Sequence, residues 1–142
     1  MINSAEIDEI DLLVNKARMA QQEFEKNGSQ ELFDLACQAV GWALMQPEQN
    51  QKLAELAVRE TGLGNVPDKI KKNHNKTKGL LRDIKDVKSF GHVSDDKENG
   101  LSTYFRPKGV VAAIVPSTNP LATPVNNIIN ALTVSYTHLR AH

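Results

Sequence analysis

Between Gly109 and Pro116 lie six consecutive apolar residues, Val110-Val-Ala-Ala-Ile-Val115, with no alternation of polar and apolar positions. A strand with one face in water alternates with period two. A short unbroken run bounded by Gly and Pro is the pattern of a strand covered on both faces, as in a parallel sheet under helices. Pro116 has no N–H to donate and ends the ladder. Ser117, Thr118 and Asn119 follow, and Pro120 closes a polar turn. Beyond the turn Thr123 is placed to cap a helix and Pro124 suits its first position. Val125, Ile128, Ile129 and Leu132 then recur at i, i+3, i+4 and i+7. The expected unit is strand, polar turn, helix. In open α/β sheets ligands sit at the carboxyl ends of strands, so this turn is the expected ligand-facing feature.

Upstream, four helices are expected. The first runs from about Ser4 to Asn27, opened by a capping-box-like Asn3 and Glu6, with Ile7, Ile10, Val14, Ala17 and Phe24 on one face and Gly28 as its stop. Ser29 caps the second, whose apolar stripe is expected at Leu32, Ala36, Ala39, Val40 and Ala43. Pro47 interrupts, and a third helix from about Glu48 carries Leu53, Leu56, Ala57 and Glu60 before the Gly62-Leu-Gly64 turn. Pro67 opens a fourth, basic on its surface and apolar at Ile70, Leu80, Leu81 and Ile84. A hairpin is expected at about 87–106, its solvated tip at Asp95, Asp96, Lys97, Glu98, Asn99 and Gly100 and its second strand half-exposed. One parallel-type strand with one crossover helix has no parallel partner in the chain, so the expectation is the opening portion of a larger α/β protein.

The remaining composition excludes more than it selects. At 142 residues the chain suits one domain, and with 17 basic and 17 acidic residues nothing favours nucleic acid or an anionic membrane as partner. The single cysteine, Cys37, rules out an internal disulfide framework and fits a reducing compartment. The longest apolar run is far short of a membrane span, and Met-Ile-Asn-Ser-Ala-Glu has no basic region followed by an apolar one. No signal peptide is expected, and the expected location is cytoplasmic.

Several motifs have plain readings. Gly62-Leu-Gly-Asn-Val-Pro67 starts like a dinucleotide-binding Gly-x-Gly-x-x-Gly, but proline fills the third position and a helix precedes it, so a helix C-cap and turn is expected. His74 and His92 have no second ligand at metal spacing, and no metal site is expected. The acidic hairpin tip lacks the ligand order of an EF-hand. The basic residues between Lys69 and Lys88 are interspersed with Asp83 and Asp86 and lack aromatic partners, as on a solvated helix face. Cys37, in Leu35-Ala-Cys-Gln-Ala39 with no local base, reads as a small buried hydrophobe rather than a nucleophile.

Three stretches in order carry a resemblance: the 109–120 segment itself, Ala57-Val-Arg-Glu-Thr-Gly-Leu-Gly-Asn-Val-Pro-Asp-Lys-Ile-Lys-Lys-Asn-His74, and Phe105-Arg-Pro-Lys-Gly-Val-Val111. Together they resemble the aldehyde dehydrogenase superfamily, and more narrowly its CoA-acylating members of the acetaldehyde and sulfoacetaldehyde type, over nearly all of residues 7–133. The resemblance implies an α/β fold: helices, a β-hairpin, then the first Rossmann-like strand and helix of the cofactor-binding domain, incomplete here. It implies an oxidoreductase that turns an aldehyde into acyl-CoA with NAD or NADP through a cysteine thioester, with coenzyme A as co-substrate. A small aldehyde substrate and a homo-oligomeric parent enzyme belong to the same implication.

Ile114, Val115, Pro116, Ser117, Thr118 and Asn119 match the family segment that lines the nicotinamide-ribose side of the cofactor site. Hydrolytic relatives use an Asn of this turn to steady an oxyanion. Aligning the two prolines without a gap sets Thr118 in its place, whereas residue type selects Asn119. The family's nucleophilic cysteine lies beyond the end of this chain, which implies that the chain by itself is inactive. The competing reading from another class is a self-standing, non-catalytic helical interaction module. Residues 1–133 are expected to be the N-terminal portion of the cofactor-binding domain. Residues 134–142, Val-Ser-Tyr-Thr-His-Leu-Arg-Ala-His, break the helical pattern and resemble a translated sequencing adapter, so a non-native tail is expected there.

Overall fold

The computed structural model describes residues 3–133, apart from the Ser4 side chain; the expected non-native tail lies outside the described residues. The order is α1 (Ser4–Asn27), α2 (Gln30–Met45), α3 (Pro47–Thr61), α4 (Val66–Asp83), β1 (Gly91–Asp96), β2 (Leu101–Phe105) and α5 (Ala122–Thr133).

Helix boundaries follow local chemistry. At the start of α1 the Asn3 side chain accepts the Ala5 N–H at 3.2 Å, and the Glu6 carboxylate accepts the Asn3 N–H at 3.0 Å. The Ser29 hydroxyl accepts the Leu32 N–H at 3.2 Å and opens α2. Pro47 takes a first-turn position in α3, and Gly62 ends it in the left-handed conformation at φ 66°, which costs glycine nothing. Asn65 caps α4 by accepting the Asp68 N–H at 2.9 Å.

The core is small and helical. α2 packs against α4 and α5, and α4 also packs against α3 and α5. Its apolar centre is Phe33, Cys37, Leu44, Ala54, Ala57, Ala122 and Ile129. Full burial of a side chain such as Phe33 or Ile129 contributes roughly 1.5–3 kcal/mol. At Gly41 a Cβ would lie 2.6 Å from Leu81 Cδ1 and 3.1 Å from Thr77 Cγ2, so the missing side chain lets α4 approach α2. Phe33 meets Phe24 in a tilted pair with ring centroids 4.5 Å apart and stacks on Phe90 at 5.5 Å, tying the end of α1 and the approach to β1 to the core. The Gln30 amide holds the same approach: its Oε1 accepts the Ser89 N–H at 2.9 Å and its Nε2 donates to the Ser89 hydroxyl at 3.0 Å.

Four expectations change. The 110–115 run joins no ladder: the described sheet has two strands, β1 and β2, which pair antiparallel with each other. A parallel-type strand is made by its neighbours, and with none beside it the run is exposed, to 98% at Ile114. On α2 the buried face is Phe33, Cys37, Gly41 and Leu44, turned by one residue from the expected stripe, while Ala39 and Ala43 are exposed. The reason is Gly41, whose bare backbone marks the side of closest helix contact. α5 begins at Ala122, so Thr123 is inside the helix and Pro124 falls in its first turn, where a missing N–H loses no intrahelical bond. The second strand is exposed along four of its five residues rather than half-exposed.

The hairpin turn is built by Asp96, whose carboxylate accepts the Glu98 and Asn99 N–H groups at 3.1 Å and the Asn99 side-chain amide at 2.7 Å. Among the described residues no helix is long and apolar enough to cross a membrane.

Candidate functional site

The turn expected to face a ligand is anchored from its helical side. Ala122 and Ile129 are fully buried where α5 packs on α2 and α4, and within the helix the Thr133 hydroxyl donates to the Ile129 carbonyl at 2.8 Å. The turn precedes Ala122 directly, so the packing of α5 sets where it stands. Within it the Asn119 N–H donates to the Pro116 carbonyl at 3.2 Å, and the two prolines restrict the backbone on either side. Ser117 and Thr118 are exposed and Asn119 is half-buried. Ile114, Val115 and Pro116 lead into the turn with their side chains in the open. All six expected site residues therefore form one continuous, accessible stretch.

Thr118 lines a shallow recess of about 310 Å³ whose other wall is the start of α4, with Gly64, Asn65, Asp68, Lys69 and Lys72. Over Gly62–Pro67 the expected feature is a helix C-cap and turn. The cap is there, at Gly62, and so is this proximity to Thr118. No local spacing links the two stretches, so only tertiary packing brings them together.

Cys37 lies away from this turn. It is 2% exposed, its Sγ is 3.9 Å from the Ile129 carbonyl oxygen, and burial followed by the Asp34 carboxylate pushes the thiol up to about 11. It is a neutral packing group, as expected from its helical position. His74 is half-buried on α4. On the hairpin His92 Nε2 lies 2.8 Å from Asp95 Oδ1, the oxygen that also accepts the Ser102 hydroxyl at 2.7 Å. These bonds hold Asp95 below the usual carboxylate range, Ser102 first and His92 second.

A buried polar pair escaped the sequence reading. Asn73 on α4 donates its side-chain amide to Asn50 Oδ1 on α3 at 2.7 Å, and Asn50 donates to the Ile70 carbonyl at 3.3 Å. Thr77, one turn beyond Asn73, is fully buried. The available signal was the i, i+4 spacing of Asn73 and Thr77, masked by the lysines around them.

No family model matches the chain. It is 54% identical over 120 residues to a sulfoacetaldehyde dehydrogenase (acylating) of Cupriavidus necator, covering 84% of this chain and 24% of that protein. It is 46% identical over 119 residues to a sulfoacetaldehyde dehydrogenase of an Acholeplasma species, again over 84% of this chain and 24% of the relative. Among solved structures it superposes on an acetylating aldehyde dehydrogenase of Geobacillus thermoglucosidasius with a TM-score of 0.82 and 35% identity, covering 89% of this chain and 27% of that one. The chain thus spans about a quarter of the length of the proteins it matches. These likenesses favour the dehydrogenase reading over a helical interaction module. By sequence and by fold, the chain belongs to the acylating aldehyde dehydrogenases and corresponds to their N-terminal part.

Proposed function

We propose that the full-length protein carrying this chain oxidises an aldehyde and transfers the resulting acyl group to coenzyme A. The observation that carries the reading is the 54% identity over 120 residues to an acylating sulfoacetaldehyde dehydrogenase. Bound NAD(P)+ supplies the hydride acceptor, and coenzyme A the thiol that takes the acyl group from an enzyme cysteine. That cysteine belongs to the downstream polypeptide; Cys37, neutral and enclosed, is not it. The chain alone is inactive in this reading, and the whole enzyme is a cytoplasmic homo-oligomer.

Within the chain the proposal gives Ile114, Val115, Pro116, Ser117, Thr118 and Asn119 the nicotinamide-ribose side of the site. The fit rests on their form: an accessible stretch, short side chains at Ser117 and Thr118, and a backbone restricted by two prolines. A flat ring can lie against such a surface without meeting bulk. Thr118 and Asn119 each bring a donor of the kind that steadies an oxyanion, and Thr118→Val set against Asn119→Leu separates them by loss of kcat.

Sulfoacetaldehyde is the first substrate to try, because the relatives at 54% and 46% identity are both named for it. The test is a panel of sulfoacetaldehyde, acetaldehyde and propionaldehyde with the full-length protein, NAD+ or NADP+, and coenzyme A. Acyl-CoA formed one-for-one with reduced cofactor, and nothing without coenzyme A, is the expected result. Oxidation to the free acid independent of coenzyme A would overturn the acylating reading.

A further inference from the structure

Across the recess from Thr118 stand two lysines of α4. Lys69 and Lys72 are spaced i, i+3, which sets them on one side of the helix. Lys69 is half-buried, and its stem lies beside Gly64, with Cε 3.8 Å from where a Cβ on that glycine would stand. Neither lysine makes a hydrogen bond or ion pair among the described residues. The carboxylate of the recess, Asp68, accepts the Asn65 side-chain amide at 2.7 Å. Two lysines against one aspartate leave the recess with positive charge in excess. A half-buried ammonium without an anion has lost part of its hydration with no partner in return, so a ligand that brings negative charge gains most there.

We infer that Lys69 and Lys72 are specificity residues of the aldehyde site, and that they receive an anionic group, a sulfonate or a carboxylate, carried by the substrate close to its carbonyl. The inference rests on the dehydrogenase reading of the turn and deepens it. Hydride transfer sets the carbonyl carbon about 3–3.5 Å from the nicotinamide ring. In sulfoacetaldehyde the sulfur stands two bonds from that carbon, so a ring against the turn leaves the sulfonate within reach of the recess that Thr118 borders. The phosphates of a dinucleotide are set off from the ring by a whole ribose, which makes them the more distant anion. Lysine suits a sulfonate, since its three donors turn on a flexible stem.

The test uses the full-length protein and its selectivity, kcat/KM for sulfoacetaldehyde divided by kcat/KM for acetaldehyde, which has the same carbonyl and no anion. Lys69→Met and Lys72→Met should each lower that ratio at least about tenfold, mainly through KM for sulfoacetaldehyde, and Lys69→Arg should restore most of it. Lys71→Met is the control: Lys71 is exposed on the same helix outside the recess, and the ratio should stay within about twofold. A second arm reads binding without turnover. Isethionate, the alcohol corresponding to sulfoacetaldehyde, should compete with the aldehyde and lose at least about tenfold in Kd with Lys69→Met, whereas ethanol should not compete. A ratio that either lysine variant leaves unchanged overturns the inference, as does one that Lys71→Met lowers equally. Competition of isethionate with coenzyme A or NAD(P)+ in place of the aldehyde would give the lysines to a phosphate of those molecules and overturn it too. Acylation of sulfoacetaldehyde with an unchanged ratio sinks this inference alone, and Lys69-dependent isethionate binding without aldehyde oxidation sinks the functional reading alone.

Discussion

At Cys37 two observations converge: the Sγ sits 3.9 Å from the Ile129 carbonyl inside the α2–α5 contact, and the thiol is raised from its ordinary 9.0 to about 11. A raised value means that the folded state holds its proton more tightly than the unfolded chain does. The resulting stability is fully present below pH 9 and is lost as pH rises from 9 through about 11. Cys37→Ala should therefore flatten the alkaline fall in the urea midpoint over that interval; an unchanged slope would show that another group sets it. The Asn50–Asn73 pair makes a second case. Asn73→Leu removes the donor to a buried Asn50 oxygen and should cost about 1–3 kcal/mol. Asn50→Leu combined with Asn73→Leu should cost less than the sum of the single changes, because neither then strands the other. Strict additivity in urea unfolding would place the value of these residues in packing alone.

Among the elements, the hairpin carries its own pH dependence. Asp95 is held low by the Ser102 hydroxyl and then by His92, and Asp96 by the Asn99 side chain and then the Asn99 N–H. Lowered carboxylates support the folded turn above their unfolded value of about 3.9, and that support fades as pH falls through the lower folded values. The Glu98 and Asn99 amide resonances should thus move toward random-coil positions below about pH 4, and Asp96→Ala should produce the same shift at neutral pH. Insensitivity of both resonances to Asp96→Ala would contradict this account. The hairpin, like all five helices, was legible in the sequence because its signals are local: an Asn3–Glu6 box, a Ser29 cap, a Gly62 stop, a polar tip. What was not legible depends on partners. Which side of α2 faces inward is decided by Gly41 meeting α4, and whether 110–115 forms a strand is decided by neighbours the described chain does not contain. The candidate turn was found from its two prolines and three short polar residues, whereas the nearness of Thr118 to Gly64 and Lys69 joins stretches far apart in sequence.

For the molecule as a whole, the packed helices α2 to α5 stand beside surfaces with little cover. Ile7, Ile10, Leu13, Val111 and Ile114 are all exposed. Residues 1–133 alone should accordingly melt over a broad range or aggregate, since an uncovered apolar segment with free peptide groups recruits other chains. A sharp, reversible two-state melt at micromolar concentration would show that the piece is self-sufficient. The central claim is that this chain brings the nicotinamide-side turn to an acylating dehydrogenase. Its most direct test is the affinity of the full-length Ser117→Trp variant for NAD(P)+. Ser117 is exposed, so the indole should leave the Tm almost unchanged while raising the cofactor Kd at least about tenfold, or 1.4 kcal/mol. Unchanged affinity with normal turnover would contradict the claim and leave the turn a purely structural link between the 110–115 run and α5.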